Sequence, residues 1–317
     1  ILLLGVGFWL TFRLGGIQFR NLFYALRLAF SKERSGEGDI SHFGALMTAM
    51  AATVGMGNIA GVSTAVALGG PGAIFWMWLT GLVGMATKYS ESFLAVKYRQ
   101  VNEQGEISGG PMYYLEHGLG QKWLGVCFAV FGSLAAFGIG NMIQANTAAI
   151  AVVESLGSSK FSVGIVLSVL TGMVIIGGIK RISDVASYFV PFMVAIYFIG
   201  AVIVILTHLG QLGVGIKLIL EHAFTGTAAT GGFIGASLAQ TIRYGVARGL
   251  FSNESGMGSA PIAAAAAKTN QPAKQALVSM SGTFLDTLVV CSLTAMALAS
   301  TGVWVAGGTG VALTLQA

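Results

Sequence analysis

One stretch without charge constrains this chain more than any other. From Phe43 to Leu68 no residue is charged, and a run of that length can cross a hydrocarbon core of about 30 Å. Its centre, Ala51-Ala52-Thr53-Val54-Gly55-Met56-Gly57-Asn58-Ile59-Ala60-Gly61, suits a continuous helix poorly. Each glycine costs about 1 kcal/mol against alanine in a helix interior. At membrane depth, backbone leaves the helix only where protein or a cavity satisfies the freed N–H and C=O groups. Two readings stand. The stretch is a packing helix whose small residues let a neighbour approach closely, or it is a broken helix. A break exposes an N-terminal end that attracts anions and a C-terminal end whose carbonyls attract cations. That pairing suits a zwitterion and a metal ion moving together.

Composition places the chain in a membrane. It is 55% hydrophobic and 9% charged, against about 25% charged in soluble domains. The net charge of +5 is spread through loops, so it reports orientation and does not imply nucleic acid. Cys127 and Cys291 lie in apolar runs and read as free thiols. The chain starts at Ile1 and stops at Ala317 inside an apolar run, which reads as an internal piece of a longer protein.

In order, Ile1 to Leu10 reads as the tail of a span. Arg13 to Arg34 follows as a basic helix in the headgroup layer or a solvated loop. Gly69-Gly70-Pro71-Gly72 turns the chain into a span from Ala73 to Lys97, where Lys88 and Glu91 are spaced to pair. Trp123 to Val153 is longer than a bilayer needs. At its middle, Asn141, Gln144 and Asn146 must face protein or water. Asn141 and Gln144 share a face, either as interhelical glue or reaching a central cavity. Phe161 to Ile179 and Val185 to Thr207 read as spans around a turn holding Lys180, Arg181 and Asp184. Gly210 to Gly231 reads as an external loop with an amphipathic helix over 216–224. Gly232 to Ala267 carries Gln240, Arg243, Arg248, Asn253 and Glu254 among glycines. Arg248 and Glu254 could meet only if the segment unwinds near Gly249, Gly256 or Gly258. Gln275 to Ala299 is a further span with Asp286 inside it.

Lysine and arginine alternate across these crossings. One side holds five in 13–34, then residues 97, 99 and 122, then 180–181, then 268 and 274; the other holds only Lys160 and Lys217. The richer side is cytoplasmic, so the first interrupted span begins there. Gly55-Met56-Gly57-Asn58 is echoed by Gly256-Met257-Gly258-Ser259. In a chain with 46 glycines such an echo alone is weak. Both copies, however, sit in polar-interrupted spans five apart, an odd offset that inverts the second. Paired interrupted spans in an inverted repeat point to a binding site at the bilayer midplane.

Several long motifs then resemble the alanine or glycine:cation symporter family. They include Thr53 to Val62, Gly69 to Trp78, Gly84 to Tyr89, Ala95 to Arg99, Gly109 to Tyr114, Gly245 to Glu254 and Asp286-Thr287. The similarity covers essentially the whole chain. It implies an all-α integral membrane protein on the five-plus-five inverted-repeat transporter fold, truncated here in the second repeat. The organisation expected is a partial span and interfacial helix over 1–41, a first repeat over 42–208, an external loop over 209–231 and an incomplete second repeat from 232 to 317. The resemblance implies sodium-coupled uptake of alanine or glycine by a multi-pass protein of the plasma membrane, with no organic cofactor. It places the substrate at Gly55, Met56, Gly57 and Asn58, with Asn141, Gln144, Gly245, Gly249 and Ser252 completing the site. Sodium is expected near Thr53 and the Gly55 carbonyl, completed by hydroxyls beyond Ala317. Met56 stands where the family commonly has threonine. A proton-coupled or differently selective carrier is the alternative within transport. No HExxH or GxSxG spacing is present, which argues against an enzyme. An interrupted span argues against a channel, which favours a continuous lined pore.

Overall fold

The computed structural model describes residues 1–31, 36–103, 105–225, 237–305 and 310–317. The described chain is almost entirely helical. Helix α1 (Leu2–Arg13) leads into two short basic helices, α2 (Ile17–Arg20) and α3 (Leu22–Ala29). Ser41 caps α4 (His42–Thr53) by accepting from the Gly44 N–H. After a gap of three residues the chain resumes as a π-helical turn (Gly57–Gly61) and α5 (Val62–Gly69). Pro71 and the left-handed Gly70 (φ 72°) then turn it into the 25-residue α6 (Ala73–Lys97). A two-residue ribbon, β1 (Gln100–Val101) against β2 (Ile107–Ser108), precedes α7 (Pro111–Tyr113) and a π turn over Tyr114–Gly118.

Next come α8 (Lys122–Ala135), a π-helical stretch over Ala136–Met142 and α9 (Ile143–Leu156), forming one long rod. The following helices are α10 (Lys160–Ile175), α11 (Gly178–Thr207) and α12 (Leu209–Thr225). The second interrupted span is α13 (Leu238–Asn253) and α14 (Ala260–Ala265). Pro272 opens α15 (Pro272–Thr283), which continues through a π stretch (Phe284–Cys291) into α16 (Ser292–Thr301). A short 3-10 turn (Val303–Val305) and α17 (Gly310–Gln316) end the described chain.

Three rods among the described residues are long and apolar enough to cross a membrane: 122–156, 178–207 and 272–301. The pair α4 and π turn–α5 qualifies as one span bent by 49°. Burial divides the helices into two groups. Helix α6 lies at the centre, packed by α1, α13, α14 and α15, and its neighbours bury polar groups such as Asn58, Ser252, Asn253, Asp286 and Thr287. Helices α8 to α11 instead turn Phe131, Phe137, Phe161, Phe189 and Phe192 outward. Polar inside and apolar outside is the pattern a hydrocarbon solvent imposes.

Three boundaries differ from the sequence reading. Lys180, Arg181 and Asp184 lie in the first turns of α11, because Gly177 and Gly178 (φ 66°) make the turn before them. Helix α12 starts at Leu209, so the expected loop is helical through Thr225; residues 226–231 of that loop lie outside the described residues. The second span, whose residues 232–236 lie outside the described residues, is helical from Leu238 to Asn253 and breaks from Glu254 to Ser259.

Candidate functional site

The first break is built by Asn58. Its side chain replaces backbone partners that a continuous helix would have supplied. Oδ1 accepts from the Gly55 N–H at 2.7 Å. Nδ2 donates to Asp286 Oδ1 at 2.7 Å and lies 3.1 Å from both Ser252 Oγ and the Asp286 carbonyl. Ser252 Oγ and Thr287 Oγ1 donate to Asp286 Oδ2 at 2.9 and 2.8 Å, and Asn253 Nδ2 donates to Thr287 Oγ1 at 3.2 Å. All five side chains are buried, so this network ties the first break to α13 and to the π stretch after α15. Groups this deep must be satisfied, since each unmade bond costs about 1–3 kcal/mol.

Between the half-helices several backbone groups remain unspent. Among the described residues no backbone N–H donates to the Val54 carbonyl, and the Met56 N–H has no backbone acceptor. The Gly55 carbonyl, expected to face an ion, already accepts from Asn58 N at 3.2 Å and Ile59 N at 3.3 Å. Resumption of the helix consumes it, leaving the Thr53 and Val54 carbonyls open among the described residues. Beside the break lies a cavity of about 80 Å³ lined by Thr53, Gly57, Gln144, Phe251 and Glu254, with Ala51, Ala52 and Gly140. That is room for more than one water molecule. Gly57 is required by a close approach: a Cβ there would lie 2.8 Å from Ser252 Cα.

The structure therefore gathers Thr53, Gly55, Met56, Gly57, Asn58, Gln144 and Ser252 around one break. Their positions differ from the expected ones. Asn58 and Ser252 are consumed by the Asp286 network and are absent from the cavity wall. The Met56 side chain turns toward α9, where Thr147 Oγ1 donates to its sulfur at 2.8 Å. Three expected residues are not brought together. Asn141 is exposed, because the π-helical stretch over Ala136–Met142 breaks the spacing that would put it beside Gln144. Gly245 and Gly249 pack against α6. A Cβ on Gly245 would lie 2.4 Å from the Ala73 carbonyl, and one on Gly249 2.0 Å from Thr80 Oγ1. Lys88 does not pair with Glu91; buried beside the second break, its ammonium donates to the Glu254 carbonyl at 3.1 Å.

Comparison with known proteins places this geometry. The family model described as the sodium:alanine symporter family matches residues 1–317. The chain belongs to that family. It is 55% identical over 309 residues to the sodium/alanine symporter AgcS of Methanococcus maripaludis, covering 95% of this chain and 67% of that protein. It is 42% identical to the probable sodium/glutamine symporter GlnT of Bacillus subtilis, covering 99% of this chain and 65% of the relative. A putative sodium/proton-dependent alanine carrier protein, YrbD of the same organism, is also 42% identical, with 96% and 61% covered. The chain spans about two thirds of the length of the relatives it matches. This member of the sodium:alanine symporter family is a multi-pass membrane protein.

Sequence reasoning passed over three residues at this symporter-family site. Asp286 reads in the sequence as an acid within a span and as part of a family motif, with no site role assigned, although a lone carboxylate in an uncharged span is itself a functional signal. Glu254 is legible as a charge within a span, but only the fold brings it and Phe251 to the cavity with Gly57 and Gln144. Among the described residues no group of three or more His, Cys, Asp or Glu gathers. A cation in this cavity would meet carbonyl and amide oxygens and the Glu254 carboxylate.

Proposed function

We propose that the full-length protein carries alanine or glycine into the cell together with sodium, by alternating access across the plasma membrane on a five-plus-five inverted-repeat scaffold. The observation that carries this reading is the 49° break with an open Val54 carbonyl and an open Met56 N–H beside a small polar cavity. The N–H end of the second half-helix suits a substrate carboxylate. Oxygens of Gln144 and Glu254 suit its ammonium. A cavity of about 80 Å³ walled by Phe251 favours small side chains by sterics. Sodium at the carbonyl end of α4, near Thr53 and Val54, would offset the negative dipole there. Coupling requires both ligands to favour the same conformation, a linkage of about 1–3 kcal/mol.

The test is uptake of labelled alanine by the full-length protein in proteoliposomes. Saturable uptake that stops when choline replaces sodium is expected; equal uptake in both media would break the coupling. A proton-driven carrier is the second reading, favoured by the buried Asp286 carboxyl, which can take up a proton. Uptake that follows an imposed pH gradient without sodium would favour it.

A further inference from the structure

A second, larger cavity adjoins the first. It measures about 270 Å³ and is bounded by Met56, Thr64, Thr147, Arg248 and Phe251 among other residues. Phe251 lines both cavities. The charge alternation along the chain sets their order across the membrane. Helices α4, α5 and α9 run outward and α13 runs inward, so Thr64, Thr147 and Arg248 lie toward the exterior of Thr53, Gln144 and Glu254. The guanidinium of Arg248 stacks over the Phe251 ring at 5.7 Å, and no carboxylate among the described residues pairs with it. An arginine within a span is costly unless it meets an anion, and its planar fork matches a carboxylate at two points.

We propose that this outer cavity is a capture subsite for the carboxylate of an incoming small amino acid. Arg248 holds the substrate there before Phe251 admits it to the inner cavity. The proposal rests on the transport reading above. Thr147 lines the same cavity, its hydroxyl held on the Met56 sulfur. The stacked ring orients the guanidinium, so the group that binds the anion and the group that gates the passage move together.

The experiment measures initial rates of labelled alanine uptake by the full-length protein, Arg248→Gln and Arg248→Lys in proteoliposomes, with sodium fixed and ionic strength varied. Arg248→Gln should raise KM about tenfold, the loss of one charge-assisted contact, and keep the maximal rate within about twofold. Arg248→Lys, which keeps the charge but loses the two-point fork, should raise KM less than Arg248→Gln does. In the unmodified protein, KM should rise with ionic strength as the attraction is screened, and in Arg248→Gln it should not. A KM unchanged in Arg248→Gln, or independent of ionic strength in the unmodified protein, overturns the outer subsite while leaving transport intact. Equal collapse of the maximal rate in both variants with KM unchanged also overturns it, assigning Arg248 to folding. No sodium-dependent alanine uptake by the unmodified protein would instead overturn the transport reading itself.

Discussion

At residues 55–58 the chain reads Gly-Met-Gly-Asn, and at 256–259 it reads Gly-Met-Gly-Ser. The backbone does different things at the two places. Neither Gly55 nor Gly57 adopts a left-handed conformation, whereas Gly256 (φ 87°) and Gly258 (φ 80°) both do, after a left-handed Glu254 (φ 53°). The first break is made by side-chain chemistry, with Asn58 substituting for backbone and anchored on Asp286. The second is made by backbone chemistry, a left-handed helix end whose Glu254 carbonyl is taken by Lys88 and whose Glu254 carboxylate accepts from Ser259. The first therefore leaves its open backbone groups beside the cavity, while Lys88 fills the open carbonyl of the second. Similar letters can mark a ligand site in one span and a fixed bend in another.

Substitutions at both breaks and at their packing neighbours would break or sharpen this contrast. The largest effect is expected from Asn58→Leu, which strips Gly55, Ser252 and Asp286 of a partner at once. The loss should approach 3 kcal/mol, on the order of a hundredfold in sodium-dependent uptake; uptake within a few-fold of the unmodified protein would show that the first break does not depend on this amide. Gly249→Ala should lower stability by about 2 kcal/mol through overpacking against Thr80, read as a lower melting temperature in detergent. Adding Thr80→Ala should restore most of it, and no rescue would remove the packing explanation. Gly256→Ala should cost about 1–2 kcal/mol, because alanine resists a left-handed conformation. Gly55→Ala should cost less in stability, since its added Cβ would lie at an ordinary 3.5 Å from Gln144 Oε1; equal melting shifts at the two positions would erase the distinction. Smallest is Ser259→Ala, which removes one exposed bond for about 0.5–1 kcal/mol and should leave alanine KM unchanged.

The first break was legible because two glycines and an amide in an uncharged run leave few alternatives at membrane depth. The second was legible as an interruption, with its place left open among Gly249, Gly256 and Gly258; the break falls at the last two. Gly245, Gly249, Gly256 and Gly258 look alike in sequence. Only the fold separates the first pair, which lets α13 approach α6, from the second pair, which needs a positive φ. Spacing rules failed where burial or helix type intervened. Lys88 and Glu91 sit at a pairing distance suited to a solvated helix, yet the depth of Lys88 commits it to the Glu254 carbonyl. Asn141 and Gln144 share a face on an α-helix, and the π-helical stretch between Ala136 and Met142 removes that phase. Cavity-wall residues such as Phe251 come from elements far apart in sequence, so no local pattern marks them.

Arg99 adds a mechanical consequence. Its guanidinium donates to the carbonyls of Ala265, Ala267, Glu37 and Thr269 at 2.8 to 2.9 Å, and Ile40 pairs with Ala267 as an isolated parallel bridge. The strand entering one kinked rod and the strand leaving the other are thus yoked at the inner face. A doorway to the cytoplasm that parted these two ends would have to break the backbone bonds between them and pull Arg99 from one end or the other. Swinging them as one piece, against the outer helices, leaves every tether whole.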